Sequence, residues 1–176
     1  VELQLRSLSR LLMMLGGMAL PPRLERLDRL RTMILGGSLG GGRTLAGCRL
    51  VPYRGRLLVC REPAAVAGPL ALRNGRPAHW DGRFAVSLRG AGRAAGFQVA
   101  ALGAEGWRAL AAAGADGRAA AIPGAVRPTL PALWHLDAVL AVPHLHFRRE
   151  GTGVRLTAEF RPVRPLSPPD LLVPAV

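Results

Sequence analysis

Leu5, Leu8, Leu12 and Leu15 recur at three- and four-residue spacing, which predicts an amphipathic helix over residues 3–15. Gly16-Gly17 end it, and Pro21-Pro22 open a second helix in the first-turn position that tolerates proline. Leu24, Leu27, Leu30 and Ile34 form the apolar stripe of that second helix, while Arg23, Arg26 and Arg29 lie elsewhere on its surface. Gly36-Gly37 stop it. Residues 1–35 therefore read as a helical hairpin.

Residues 36–42 hold five glycines in seven positions and read as a flexible linker. Beyond them the period changes from helix to strand. Residues 43–51 and 56–62 are β-type runs flanking Pro52-Tyr53-Arg54-Gly55, which predicts a hairpin centred near residue 54. With that centre, Cys48 and Cys60 face one another across the two strands, and Arg61 lies close to Arg49. Residues 83–88 and 97–102 read as short strands, with Trp80-Asp81-Gly82 turning into the first. A helix follows at 104–113, a short turn-like segment at 131–134, and two more strands at 138–142 and 154–160. The sum is an α+β fold: an N-terminal helical hairpin, then a small mixed, mainly antiparallel β domain with short helices. The expected layout is a helical connector at 1–35, the linker at 36–42, an α+β domain at 43–161 and a proline-rich tail at 162–176.

Composition sharpens the reading. Of 176 residues, 49% are hydrophobic, enough for a core, but only 5% are aromatic, so Leu, Val and Ala must fill it. The 24 basic residues against 11 acidic ones give a formal charge of +13, and every basic residue is Arg. The absence of lysine excludes a Schiff-base mechanism and a P-loop lysine. A charge of this size on a small chain predicts an anionic partner, and arginine's planar fork suits phosphate. Two cysteines are too few for a secreted disulfide framework and fit a reducing, cytoplasmic compartment. The apolar run 11–20 is far short of the roughly 20 residues that span a bilayer, so no membrane association is expected. A chain opening on Val1-Glu2 reads as a piece of a longer protein.

Two phosphate- or nucleophile-type patterns fail on context. Gly37-x4-Gly42-Arg43-Thr44 matches a P-loop except for the lysine, but a helix precedes it and a strand follows, the reverse of the required order. Gly36-Gly37-Ser38-Leu39-Gly40 matches a nucleophile elbow, with Asp137 and His144 following in suitable order, yet a glycine-rich segment supplies none of the elbow's strain. His144 and His146 on one strand face could join Cys48 and Cys60 around zinc, but the spacing fits no common zinc module. Glu62, Asp81, Asp116 and Asp137 are scattered and imply no shared acid–base work. No catalytic residue, cofactor site or metal site is assigned. Arg43, Arg49, Arg54, Arg56 and Arg61, a basic run without an acid, form the candidate RNA-binding set, with Arg43 and Arg49 on one face and Arg54 and Arg56 crowning the turn.

Several segments occur in a telling order: Arg43-Thr44-Leu45-Ala46-Gly47-Cys48-Arg49, Leu57-Leu58-Val59-Cys60-Arg61-Glu62-Pro63, Trp80-Asp81-Gly82-Arg83-Phe84, Leu130-Pro131-Ala132-Leu133-Trp134 and Val139-Leu140-Ala141-Val142-Pro143-His144-Leu145. The series resembles the C-terminal half of bacterial tRNA(Ile)-lysidine synthetase in its alphaproteobacterial form, from about residue 5 to residue 165. That family is an ATP-dependent ligase attaching lysine to cytidine 34 of the tRNA(Ile) anticodon. Its catalytic domain carries a Ser-Gly-Gly-x-Asp-Ser loop, which does not occur here. The resemblance implies a tRNA-binding and positioning portion whose partners are tRNA and its own N-terminal catalytic domain. ATP, with Mg, is implied for the full-length enzyme and not for this chain. The competing expectation is a stand-alone basic structural, protein-interaction or generic RNA-binding domain without a catalytic role.

Overall fold

The computed structural model describes residues 1–91, 96–114 and 121–166. The chain is α+β: an N-terminal helix pair is followed by three mainly antiparallel sheets and a third helix among the described residues. Helix α1 spans Glu2–Gly16 and closes on Gly17, which takes the left-handed conformation at φ 61°. Helix α2 spans Leu24–Leu35. Pro21-Pro22 lie just before it instead of forming its first turn, because the backbone stays extended through Arg23.

The expected strand over residues 43–51 is two strands. Strands β1 (Arg43–Leu45) and β2 (Cys48–Tyr53) are joined by Ala46-Gly47, and β2 and β3 (Arg56–Arg61) by Arg54-Gly55. In both connections the two central residues have positive φ, the backbone of a tight hairpin turn, which explains a glycine in second place. One face of this three-stranded sheet puts Cys48, Leu50 and Val59 against Leu12, Leu27, Leu30 and Leu39. The helical connector and the first sheet thus share one core.

Leu39 comes from the glycine-rich segment expected as a flexible linker. It is 7% exposed, and the backbone around it turns through hydrogen bonds from Gly36, Gly37, Ser38 and Gly42 to carbonyls of Thr32, Ile34, Met33 and Leu39. One apolar side chain among five glycines is enough to seat the turn on the core.

The remaining strands build two further sheets. Strands β4 (Leu70–Ala71), β7 (Phe97–Ala101), β8 (Pro131–His135), β9 (Ala138–Val142) and β10 (Phe147–Arg148) order as β10-β9-β8-β7-β4. Strands β5 (Pro77–Trp80), β6 (Phe84–Arg89) and β11 (Arg155–Phe160) order as β11-β6-β5. Both sheets contribute to one core, with Trp80, Phe84, Val86 and Leu88 meeting Phe97, Val99, Leu133 and Leu156. Helix α3 (Gly103–Ala112) closes a second core with Leu102, Leu110, Ala132, Val139 and Leu145. The turn-like segment expected at 131–134 is strand β8, paired on both sides. Pro131 begins it, a position where a missing N–H is tolerated. The proline-rich tail is described only to residue 166, and Asp116 also lies outside the described residues. No helix among the described residues is long and apolar enough to cross a membrane.

Candidate nucleic-acid interface

The register of the β2–β3 hairpin decides which arginines share a surface. Tyr53 pairs with Arg56, Val51 with Leu58, Arg49 with Cys60 and Cys48 with Arg61. The turn is therefore centred between residues 54 and 55. That half-residue displacement from the expected centre moves every partner by one and sends neighbours to opposite faces. Cys48 and Cys60 are consequently on opposite faces, buried and not joined in a disulfide. Cys48 donates its S–H toward the Leu12 carbonyl at 3.4 Å, and Cys60 toward the Ala125 carbonyl at 3.9 Å.

The five candidate arginines separate accordingly. Arg49, Arg54 and Arg56 are exposed. Arg49 and Arg56 lie on the outer face with Tyr53, because residues 49, 51 and 53 alternate with 50 and 52 and Arg56 is directly opposite Tyr53. Arg54 at the tip sets its guanidinium carbon 5.2 Å from the Tyr53 ring centroid, a cation–π contact. Arg43 pairs with Leu50, which faces the core, so it does not share a face with Arg49. Its guanidinium turns back to donate to the carbonyls of Gly42 at 2.9 Å and Leu39 at 3.3 Å.

Arg61 is the larger correction. It is 7% exposed and opposite Cys48, so it neither neighbours Arg49 nor reaches the surface. Its Nη2 and Nε donate to the Asp81 carboxylate at 2.7 and 3.2 Å, and it also donates to the carbonyls of Gly16, Gly47 and Ala65. Asp81 accepts in addition from Arg83 Nε at 2.6 Å and from the Ala67 N–H at 2.8 Å. Arg83 donates onward to the Thr129 carbonyl at 3.2 Å and lies over the Phe84 ring. Burial pulls the Arg83 guanidinium below its ordinary pKa, and Asp81 opposes that pull. The node joins the end of α1, the β1–β2 turn, the β5–β6 turn and the segment before β8. Glycines permit the approach: a Cβ at Gly17 would run into the Asp81 carbonyl, and one at Gly82 into the Gly17 carbonyl.

Sequence reasoning did not place Tyr53 on the face that carries Arg49 and Arg56, although the alternation of Arg49, Val51 and Tyr53 carried the signal. The Asp81 node had no local signal, since its partners are distant in sequence. Residues 43–61 contain no acid, so the charged side chains of the hairpin's outer face, Arg49 and Arg56 with Arg54 at the tip, are all positive.

The histidine pair does not share a strand face. His144 lies in a short 3-10 turn over Pro143–Leu145, and His146 follows it with φ at 50°. The His144 ring packs edge-on against Phe84, and burial, then Arg83 and His146, lower its pKa. Among the described residues no three His, Cys, Asp or Glu side chains are grouped to hold a metal. The P-loop-like segment runs from the end of helix α2 into strand β1, and Gly37, Ser38 and Gly42 already spend their backbone N–H groups within the turn. Against protein-family models, curated proteins and solved structures alike, the chain finds no match.

Proposed function

We propose that the chain is an RNA-handling module that grips tRNA through the outer face of the β2–β3 hairpin. In this reading it serves as the C-terminal, tRNA-positioning portion of a tRNA(Ile)-lysidine synthetase, with ATP-dependent ligation carried out by a separate N-terminal catalytic domain. The observation that carries the RNA part is that exposed Arg54 and Arg56 adjoin Tyr53, with exposed Arg49 further along the same strand face, in a hairpin without acidic residues. Arginine forks bind phosphate oxygens bidentately, and an aromatic ring beside them offers a stacking surface for an unpaired base. The lysidine assignment rests on the ordered segments that resemble that family.

The test is tRNA binding measured across a salt series. Each phosphate contact contributes about 0.7–0.9 to the slope of log affinity against log salt. The triple variant Arg49→Gln, Arg54→Gln, Arg56→Gln therefore flattens the slope by about two units and weakens binding. Unchanged affinity and slope in a folded variant would remove the hairpin from the RNA surface. A second reading, a protein-interaction role, is favoured by an apolar groove of about 580 Å³ between the starts of α1 and α2, lined by Val1, Leu5, Pro21, Pro22, Leu24 and Leu27. A partner bound there would associate with little salt dependence.

A further inference from the structure

Strands β10 and β11 are the edge strands of the second and third sheets, and the 3-10 turn at Pro143–Leu145 packs against both. A cleft of about 360 Å³ opens between them, with Phe147, Arg148, Arg155 and Leu156 in its walls. Arg155 stands directly opposite Arg89 in the β11–β6 register. Like charges in directly opposed positions destabilise a sheet, because their Cβ atoms are only about 5 Å apart. Arg89, Arg148 and Arg155 are all exposed, and none forms an ion pair with another described residue. The acid on β11, Glu159, is engaged by Arg161 at 3.0 Å. Protection of a sheet edge accounts for arginine on β10 and β11; Arg89 is the last residue of β6, past the end of its pairing with β5, and its register partner is Arg155. Arg148 and Arg155 thus bring two unneutralised guanidinium groups to the cleft wall, with Arg89 across the strand pair from Arg155, an arrangement that an anion would relieve.

We propose that this cleft is a second phosphate site, holding one phosphodiester group of a nucleic-acid strand between Arg148 and the Arg89–Arg155 pair. The partner class rests on the RNA reading above. The site itself rests on the like-charge register and the cleft. Its volume lies near the lower end for a ligand pocket, which suits one phosphate and its sugar and not a duplex. Phe147, half-buried in the wall, gives the sugar or base an apolar surface.

The experiment uses the whole chain, inorganic phosphate as probe, and tRNA as ligand. Phosphate raises the melting temperature of the wild type above that in chloride of equal ionic strength, since it binds the folded state. In the double variant Arg89→Gln, Arg155→Gln this increment disappears, and the variant in dilute chloride melts above the wild type because the repulsion is gone. Arg148→Gln, which leaves the strand pair untouched, reduces the increment on its own. The slope of log tRNA affinity against log salt flattens by about 0.7–0.9 in the double variant, the share of one phosphate. An unchanged phosphate increment in both variants would overturn the site, as would a double variant that melts lower and aggregates while Arg148→Gln behaves as wild type. If the hairpin triple variant loses slope and these variants do not, the hairpin reading stands and the cleft falls. If phosphate stabilises only the wild type while no variant alters tRNA binding, the anion site stands and the nucleic-acid reading falls.

Discussion

Arg61 and Asp81, twenty residues apart in sequence, meet in a buried ion pair at 2.7 Å with the Asp81 side chain wholly enclosed. Two arginines share that single carboxylate, since Arg83 contacts it at 2.6 Å. The surplus positive charge is held by backbone carbonyls at the end of α1, in the β1–β2 turn, at Ala65 and at Thr129. The node therefore fastens the helix-and-hairpin unit to the larger pair of sheets. It stands at the joint between the two cores.

Asp81→Asn removes the charge and leaves two guanidiniums buried without a counter-ion. Breaking a buried pair from one side costs about 3–5 kcal/mol, a large share of a domain's stability of roughly 5–15 kcal/mol. The expected result is a matching fall in the urea midpoint with the slope unchanged. A loss below about 1 kcal/mol would mean that the node is more hydrated than its geometry implies.

The parts of the fold governed by local period were legible. Helices α1 and α2 followed from their leucine spacing, α3 was expected one residue late, and strands β6, β7, β9 and β11 lay where the β-type runs were. What escaped was governed by turns and by distant partners. Ala46 is an unremarkable residue in an apolar run, yet with Gly47 it reverses the chain and separates Arg43 from Arg49. A turn centre misplaced by half a residue put Cys48 opposite Cys60, where the structure pairs Cys48 with Arg61 and Cys60 with Arg49. Arg61 was counted as a surface residue because arginine is so rarely buried unpaired, and its partner twenty residues away left no local mark. The Arg89–Arg155 pair was invisible for the same reason: only strand pairing brings the two residues together.

The buried thiols make the fold sensitive to alkali. Burial pushes Cys48 up to about 12, with Arg61 and Arg83 pulling the other way, and burial also raises Cys60 against the pull of Arg49 and Arg83. The unfolded chain releases these protons near their ordinary pKa, while the native state keeps them. The thiols' contribution to stability is thus fully present below about pH 8.5 and is lost as pH rises toward the folded values, by up to about 1.4 kcal/mol per pH unit for each thiol. Urea midpoints at pH 8 and pH 10 should show the fall in the wild type and a shallower one in Cys48→Ala. Equal falls in the two proteins would mean that another group carries the alkaline sensitivity.

Arg54 links the stability of the hairpin to its proposed work. It occupies the first central position of a two-residue turn at φ 50°, followed by Gly55 at φ 72°. An ordinary L-residue held in the left-handed region costs about 1–2 kcal/mol, whereas Asn before Gly is the preferred pair for such a turn. The cation–π contact with Tyr53 offsets about 0.5–1 kcal/mol of that strain at an exposed site. Arg54→Asn should therefore leave the hairpin as stable as before or up to about 1 kcal/mol more stable, read as an equal or higher urea midpoint. Under the proposed reading the same change removes one phosphate contact, so tRNA binding weakens and the salt slope falls by about 0.7–0.9. Stability and binding then move in opposite directions, which a purely structural arginine would not produce. A variant that binds tRNA as tightly as the wild type, with an unchanged slope, would show that Arg54 faces solvent and not phosphate. A variant that is clearly less stable would show that the contact with Tyr53 outweighs the strain of the turn.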